Sequence, residues 1–241
     1  MRRCACQNSH QLALSKSFRQ TYWTYYLALE DRLLQTERCC AFSQRNTEAF
    51  SIEYLTLLLS TCGEVDSLAK AIGTHFFPEA DLNNCTISKW GYYLCQSFPE
   101  IDTKVLQFKN GMQLKPFDSW QQTTAINKKG QTIYVKAPGS KRLQWWADYS
   151  TVKHSRASID PDRGLANYEK ANQGNVIKAM GALFLLNRLM MQILNADAYQ
   201  TIERSKLFKL CNSPDETVTF ICYGSKGVPL QITHKAPRAR I

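Results

Sequence analysis

Residues 179–194 read AMGALFLLNRLMMQIL, an apolar stretch broken only by Asn187 and Arg188. A membrane-spanning helix needs about 20 consecutive apolar residues, and this run is both shorter and interrupted. It is too long for an ordinary strand, so the reading is a helix buried inside a protein. Upstream, Tyr168, Ala171, Asn172, Asn175, Val176, Ala179, Leu183, Leu186, Met190 and Ile193 fall near one stripe, which predicts a long helix from about Leu165 to Asp197.

Similar periodicity recurs along the chain. Phe18, Tyr22, Tyr25, Tyr26, Leu29 and Leu33 predict a helix from Ser17 to about Glu37. The segment TEAFSIEYLTLLLSTCGEVDSLAKAI predicts another from Thr47, its expected cap, to Ile72, and Pro78 closes that region. Gly63 lies inside it, at a cost of about 1 kcal/mol relative to alanine, where it would admit a neighbouring helix. Shorter helices are expected over 86–97 and 143–154, and Leu207–Ser213 is read as leading out of a short helix. Between them, KVLQF, GMQLKPF and QTIYVKA lean towards β, with NKKGQ as a turn, so residues 101–138 are expected to hold two or three short strands. SIDPDRG (158–164) reads as a loop, and 216–234 as a terminal hairpin turned at Ser225-Lys226-Gly227. With no repeat or low-complexity linker, the expectation is one mainly α domain over 1–241. It is a bundle of four to five helices with a small β insertion (about 101–138) and a C-terminal β-hairpin.

Hydrophobic residues make up 44% of the 241-residue chain and charged residues 21%, which is a globular composition. The net charge of +10 favours acidic partners, although the cations are scattered and the densest cluster is the tail HKAPRARI (234–241). Nine cysteines, none in a CxxC pair, are read as reduced thiols of a cytoplasmic protein. Cys4, Cys6 and His10 make a poor metal set, so no metal and no cofactor is expected. Asn84-Cys85-Thr86 fits the glycosylation pattern, read as chance. The first 29 residues lack Asp and Glu, as transit peptides do, but the apolar face continues well past Arg19 and favours a helix. No nucleophile elbow, phosphate loop or HExxH is present.

Two helices carry the candidate chemistry. On the helix through 50–72, Leu55, Leu58, Leu59, Cys62, Val65 and Ala69 form the apolar face, and Asp66 lands between Leu55 and Leu59. An unpaired buried carboxylate costs several kcal/mol, so Asp66 requires a cation or a hydrogen-bond donor. WWADYSTVKHSR (145–156) offers candidates: Trp145, Tyr149, Val152 and Arg156 follow one face, with Lys153 and His154 beside them. Arg156 or His154 is the expected partner of Asp66. Three readings are open: an architectural ion pair, an anion or RNA-phosphate site built from Lys153, His154 and Arg156, or catalysis. In the last, His154 is general acid or base and Arg156 or Lys153 stabilises a phosphorane-like charge. Asn172 and Asn175 lie three apart and are read as core amides or as orienters of His154, and Tyr22, Trp23, Tyr25 and Tyr26 as core or as a base-stacking surface.

The acidic helix, the aromatic WWxxYxxVKHxR helix and ANxxNVxxAxxALFxLN (171–187) together resemble a branch of uncharacterised prokaryotic proteins in the HEPN-like helical-bundle superfamily. The resemblance covers about residues 50–195, and Tyr149, Val152, Lys153, His154 and Arg156 are its most specific part. It implies a helical bundle, often a homodimer, from defence or toxin systems that include metal-independent ribonucleases and inactive binders of RNA or protein. The active members carry an arginine four to six residues before the histidine. Here the nearest upstream arginine, Arg142, is twelve residues away. The expectation is therefore a non-catalytic or degenerate module that binds RNA or a protein partner as a homodimer, through Lys153, His154 and Arg156 around Asp66. An endoribonuclease acting through His154 and a purely structural protein are the alternatives.

Overall fold

Five α-helices are the main elements of the computed structural model, which describes residues 17–194, 204–211, 217–223 and 229–235, apart from the side chains of Ile193 and the last two strands. They are α1 (Thr24–Thr36), α2 (Ile52–Phe76), α3 (Ile87–Ser97), α4 (Gln144–Ser155) and α5 (Gln173–Leu194), and a π-helical turn, Arg19–Trp23, leads into α1. Short strands complete the described chain: β1 (Leu106–Phe108), β2 (Gln113–Leu114), β3 (Gln122–Ile126), β4 (Thr132–Lys136), β5 (Phe208–Leu210), β6 (Thr217–Tyr223) and β7 (Pro229–Lys235). The mainly α class follows from the pattern of apolar residues, as expected. Ser225, Lys226 and Gly227, the tail beyond 235, and Cys4, Cys6 and His10 lie outside the described residues. No described helix is long and apolar enough to cross a membrane.

Contacts divide the chain into two compact units, so the β-leaning stretch 101–138 does not stay together. One unit takes in residues up to 65, 106–114 and 144–209; the other takes in 66–105, 115–143 and 210 onwards. The first holds the three-stranded sheet of order β2-β1-β5, with β1 and β2 antiparallel and Leu106 opposite Leu114. The second holds the β3–β4 ribbon, and β6 pairs antiparallel with β7.

The core of the first unit is α5. From Val176 to Met191 nearly every side chain is buried, including Met180, Leu183, Phe184, Leu186 and Leu189, which is the signature of a helix enclosed on all sides. Aromatic rings run outward from it: Phe184 meets Tyr26 at 5.9 Å and Phe208 at 5.7 Å, Phe208 meets Phe108 at 5.2 Å, and Phe108 meets Phe42 at 5.1 Å. Trp23 stacks on Tyr26 in the same cluster, so of Tyr22, Trp23, Tyr25 and Tyr26 these two are core, as is Phe18 one turn earlier. Asn187, the polar break in the apolar run, donates to the Leu183 carbonyl one turn back.

Two helix starts differ from the expected ones, and each is set by its own cap. α2 begins at Ile52 because Ser51, not Thr47, caps it: its hydroxyl accepts the Tyr54 N–H at 3.1 Å. α5 begins at Gln173 because Asn172 caps it, accepting the Asn175 N–H at 2.9 Å. Residues 165–172 form a loop and a 3₁₀ turn, Asn167–Lys170, in place of the expected helix.

A buried carboxylate ties down the end of the first unit. Glu30 is fully buried on α1 and accepts from the Tyr26 hydroxyl at 2.6 Å, from the backbone N–H groups of Lys206 and Leu207 at 2.9 and 3.2 Å, and from the Ser205 hydroxyl. Burial and the neighbouring Glu30 push the Tyr26 phenol well above its ordinary pKa. This anchor delivers Phe208 to the core as part of β5, where a helical exit was expected.

In the second unit α3 packs on the chain after β2. Trp90 lies 5.8 Å from Trp120, and Gly91 gives the closest approach: a Cβ there would stand 2.6 Å from the Trp120 ring. Gly63 is different, since a Cβ would meet nothing within 4 Å, so it admits no neighbouring helix. The two glycines have opposite expected responses to alanine. Gly91→Ala overpacks the indole and should cost about 1–3 kcal/mol. Gly63→Ala should stabilise by up to about 1 kcal/mol through helix propensity alone. Urea midpoints of the two variants check both signs.

Candidate functional site

The start of α5 organises the polar residues of the first unit. A helix leaves its first N–H groups without partners, and here they are met one by one. Phe50 and Asn172 form an antiparallel bridge; the Gln173 N–H donates to the Ala49 carbonyl at 2.8 Å; the Gly174 N–H donates to the Thr47 carbonyl at 2.8 Å; and Asn175 takes the Asn172 side chain. A Cβ at position 174 would stand 3.1 Å from the Thr47 oxygen, so the strip fits closely against a glycine. The Gln173 side chain is fully buried and its amide donates to the Tyr54 hydroxyl at 3.0 Å and to the Ala41 carbonyl at 3.2 Å.

Asp148 sits beside this helix start and is 7% exposed. Its two oxygens accept from the Gln144 and Asn175 amides, each at 2.9 Å, and Asn175 also donates to the Lys170 carbonyl at 2.9 Å. Asn172 donates to Glu48 at 3.1 Å, and Glu48 pairs with Arg163 at 2.9 Å. Asn172 and Asn175 therefore serve as cap and carboxylate support; neither bonds to His154. Sequence reading missed Asp148, although its position was legible. It lies at i+3 from Trp145 and i−4 from Val152, on the buried face of α4.

The loop after α4 folds back on itself. The Tyr168 N–H donates to the Arg156 carbonyl at 3.1 Å, the Asn167 N–H to the Ser158 carbonyl at 2.9 Å, and the Asn167 amide to the Ser155 carbonyl at 2.9 Å. Lys170 closes the loop with an ion pair to Asp160 at 2.6 Å, both side chains about one-eighth exposed. That ammonium, then the N–H groups of Asp162 and Arg163, hold the Asp160 carboxyl below its usual range.

Lys153, His154 and Arg156 are all exposed at the end of α4. Lys153 lies over the buried Tyr149 ring, 5.8 Å from its centroid. Among the described residues no hydrogen bond or ion pair engages the imidazole of His154 or the guanidinium of Arg156. Beside them, Phe50 (43% exposed) and Tyr168 (37% exposed) meet edge to face at 5.4 Å. Ile159 and Leu165 of the same loop are exposed as well.

Asp66 belongs to the second unit, where both its oxygens are occupied. Lys70, one turn along α2, reaches Oδ2 at 2.5 Å, and the Trp90 indole N–H donates to Oδ1 at 2.9 Å. The carboxylate does require partners, but these take the place of the expected Arg156 or His154. The helical wheel gave its direction and could not see the indole arriving from α3. Among the described residues no three His, Cys, Asp or Glu side chains gather as a metal set. No family model, curated protein or solved structure matches the chain.

Three outcomes follow from this geometry. Asn175→Ala leaves a buried Asp148 oxygen without its donor and should cost about 1–3 kcal/mol in urea unfolding. His154→Ala, at an exposed and unengaged position, should stay within about 0.5 kcal/mol of the wild type. The Asp160 latch should be pH-dependent. Because its carboxyl titrates lower folded than unfolded, its contribution is full above the unfolded value of 3.8 and is lost as pH falls through the folded value. The thermal-midpoint difference between wild type and Asp160→Asn should therefore be constant above about pH 5 and close in acid.

Proposed function

We propose that this chain is a non-catalytic binding module for single-stranded RNA, in the manner of the inactive HEPN-like proteins that its sequence resembles. The observation that carries the reading is the exposed Phe50–Tyr168 pair bordered by Arg156, whose carbonyl accepts the Tyr168 N–H. Exposed aromatic faces stack bases with little sequence preference, and adjacent cations track the phosphates. Lys153 and His154 extend the basic border along the last turn of α4. A catalytic histidine is ordinarily oriented by a hydrogen bond to its other ring nitrogen, and none engages His154 among the described residues. A binding role uses the imidazole as one more donor to phosphate and needs no such partner. The homodimer implied by the resemblance belongs to the same proposal and is read from the solution mass.

The test uses a fluorescent single-stranded RNA, with EDTA present throughout. Binding should weaken steeply with salt, and Tyr168→Ala or Arg156→Ala should each reduce affinity about tenfold, the range for one stacked base or one phosphate contact. The RNA should remain intact. Cleavage by the wild type that disappears in His154→Ala would establish the ribonuclease instead. Absence of RNA binding at any salt concentration would overturn the proposal and favour a protein partner.

A further inference from the structure

The second unit carries a basic projection that the RNA reading does not use. Residues 119–143 contain five Lys or Arg and no Asp or Glu, and of the five Lys141 is paired with Asp118 at 2.7 Å. At their centre is the β3–β4 ribbon, paired from Gln122 with Lys136 to Ile126 with Thr132. Its base is fixed. Gln122 is buried, the Tyr134 ring packs 5.4 Å from Tyr92, and the Tyr134 and Tyr93 hydroxyls lie 3.2 Å apart. Its outer half is exposed, with Ile126 69% accessible. The tip is rigid. The Asn127 side-chain oxygen accepts the N–H groups of Lys129 at 2.9 Å and Gln131 at 3.0 Å, and its amide donates to the Gln131 side chain at 3.1 Å. Gly130, at φ +73°, supplies the left-handed residue that this turn requires. The turn thus presents Lys128 and Lys129 side by side, and no ion pair among the described residues engages either ammonium.

We infer that the β3–β4 ribbon is an arm that enters the major groove of double-helical DNA, with Lys128 and Lys129 on the phosphates. Two strands lie about 4.8 Å apart, and with their side chains they match a B-form major groove about 12 Å wide. The deep, narrow major groove of an RNA duplex would not admit them. A turn closed by its own hydrogen bonds is suited to this role, because a pre-formed tip loses less ordering entropy when it docks. The exposed Ile126 near the tip offers the kind of apolar contact that thymine methyl groups accept. The inference stands on residues separate from Phe50, Tyr168 and Arg156 and does not depend on the RNA site.

The experiment measures fluorescence anisotropy of the full chain with a 20-base-pair DNA duplex, either single strand, and the RNA duplex of the same sequence. The DNA duplex should bind more tightly than the RNA duplex, while the single strands report on the Phe50–Tyr168 site. Lys128→Ala/Lys129→Ala should weaken duplex binding at least about tenfold and reduce the salt slope by about 1.8, the value for two lost phosphate contacts. Lys128→Arg/Lys129→Arg should retain the slope, and Lys178→Ala, an exposed change on α5, should bind as the wild type. Circular dichroism establishes that each variant is folded. A double-alanine variant that binds the DNA duplex as the wild type, a wild type that fails to bind the DNA duplex, or equal affinity for the DNA and RNA duplexes would each overturn the inference.

Discussion

A helix enclosed by apolar side chains still begins with bare N–H groups, and most of the first unit answers to that constraint. α5 cannot turn its first amides towards water, because Gln173 and Asn175 are buried. Thr47 and Ala49 therefore give up their carbonyls to it, Phe50 forms a bridge with Asn172, and Asn172 folds its side chain over Asn175. A strip with its carbonyls engaged in this way cannot also be the first turn of α2. The start of α2 at Ser51 and the start of α5 at Gln173 are thus two consequences of one set of hydrogen bonds.

The buried carboxylates extend the same logic. Glu30 and Asp148 are both removed from water, and the hydrogen bonds that hold them come from hydroxyls, amides and backbone N–H groups. Such donors compensate the lost hydration of a carboxylate without burying a second charge, which would carry its own desolvation cost. Lys170 is the exception in this unit, since it is itself largely buried in its pair with Asp160. Asp66 is the intermediate case: half-buried, it shares its oxygens between an indole and a lysine one turn away.

What was legible in the sequence follows from how local the cause was. Leu183, Phe184 and Leu186 marked α5 because enclosure is written into a run of neighbours. The turn at Asn127–Gln131 was legible in NKKGQ, because an Asx side chain and a glycine make that turn by themselves. Asp148 was equally legible, one turn from Trp145 on a buried face of α4. The Thr47–Ser51 strip was not legible. Its residues favour a helix, and what prevents one is the end of another helix more than 120 residues away in the sequence. The partners of Asp66 were half legible: Lys70 at i+4 could be read from spacing, whereas Trp90 required the tertiary fold.

This division between an inward network and an outward surface bears on function. Asn172 and Asn175 were candidates both for the core and for the site, and the hydrogen bonds assign them to the core. Lys153, His154 and Arg156 stand on the frame that these amides hold, since Asp148 lies in the same helix and Asn167 fixes the Ser155 carbonyl at its end. The frame is held mainly by buried groups, and neither the His154 imidazole nor the Arg156 guanidinium is engaged in it among the described residues. A surface of that kind can change its charges without unfolding the protein. It can also bind an anion without first breaking an internal ion pair, and the desolvation of that ligand is the main electrostatic cost left to overcome.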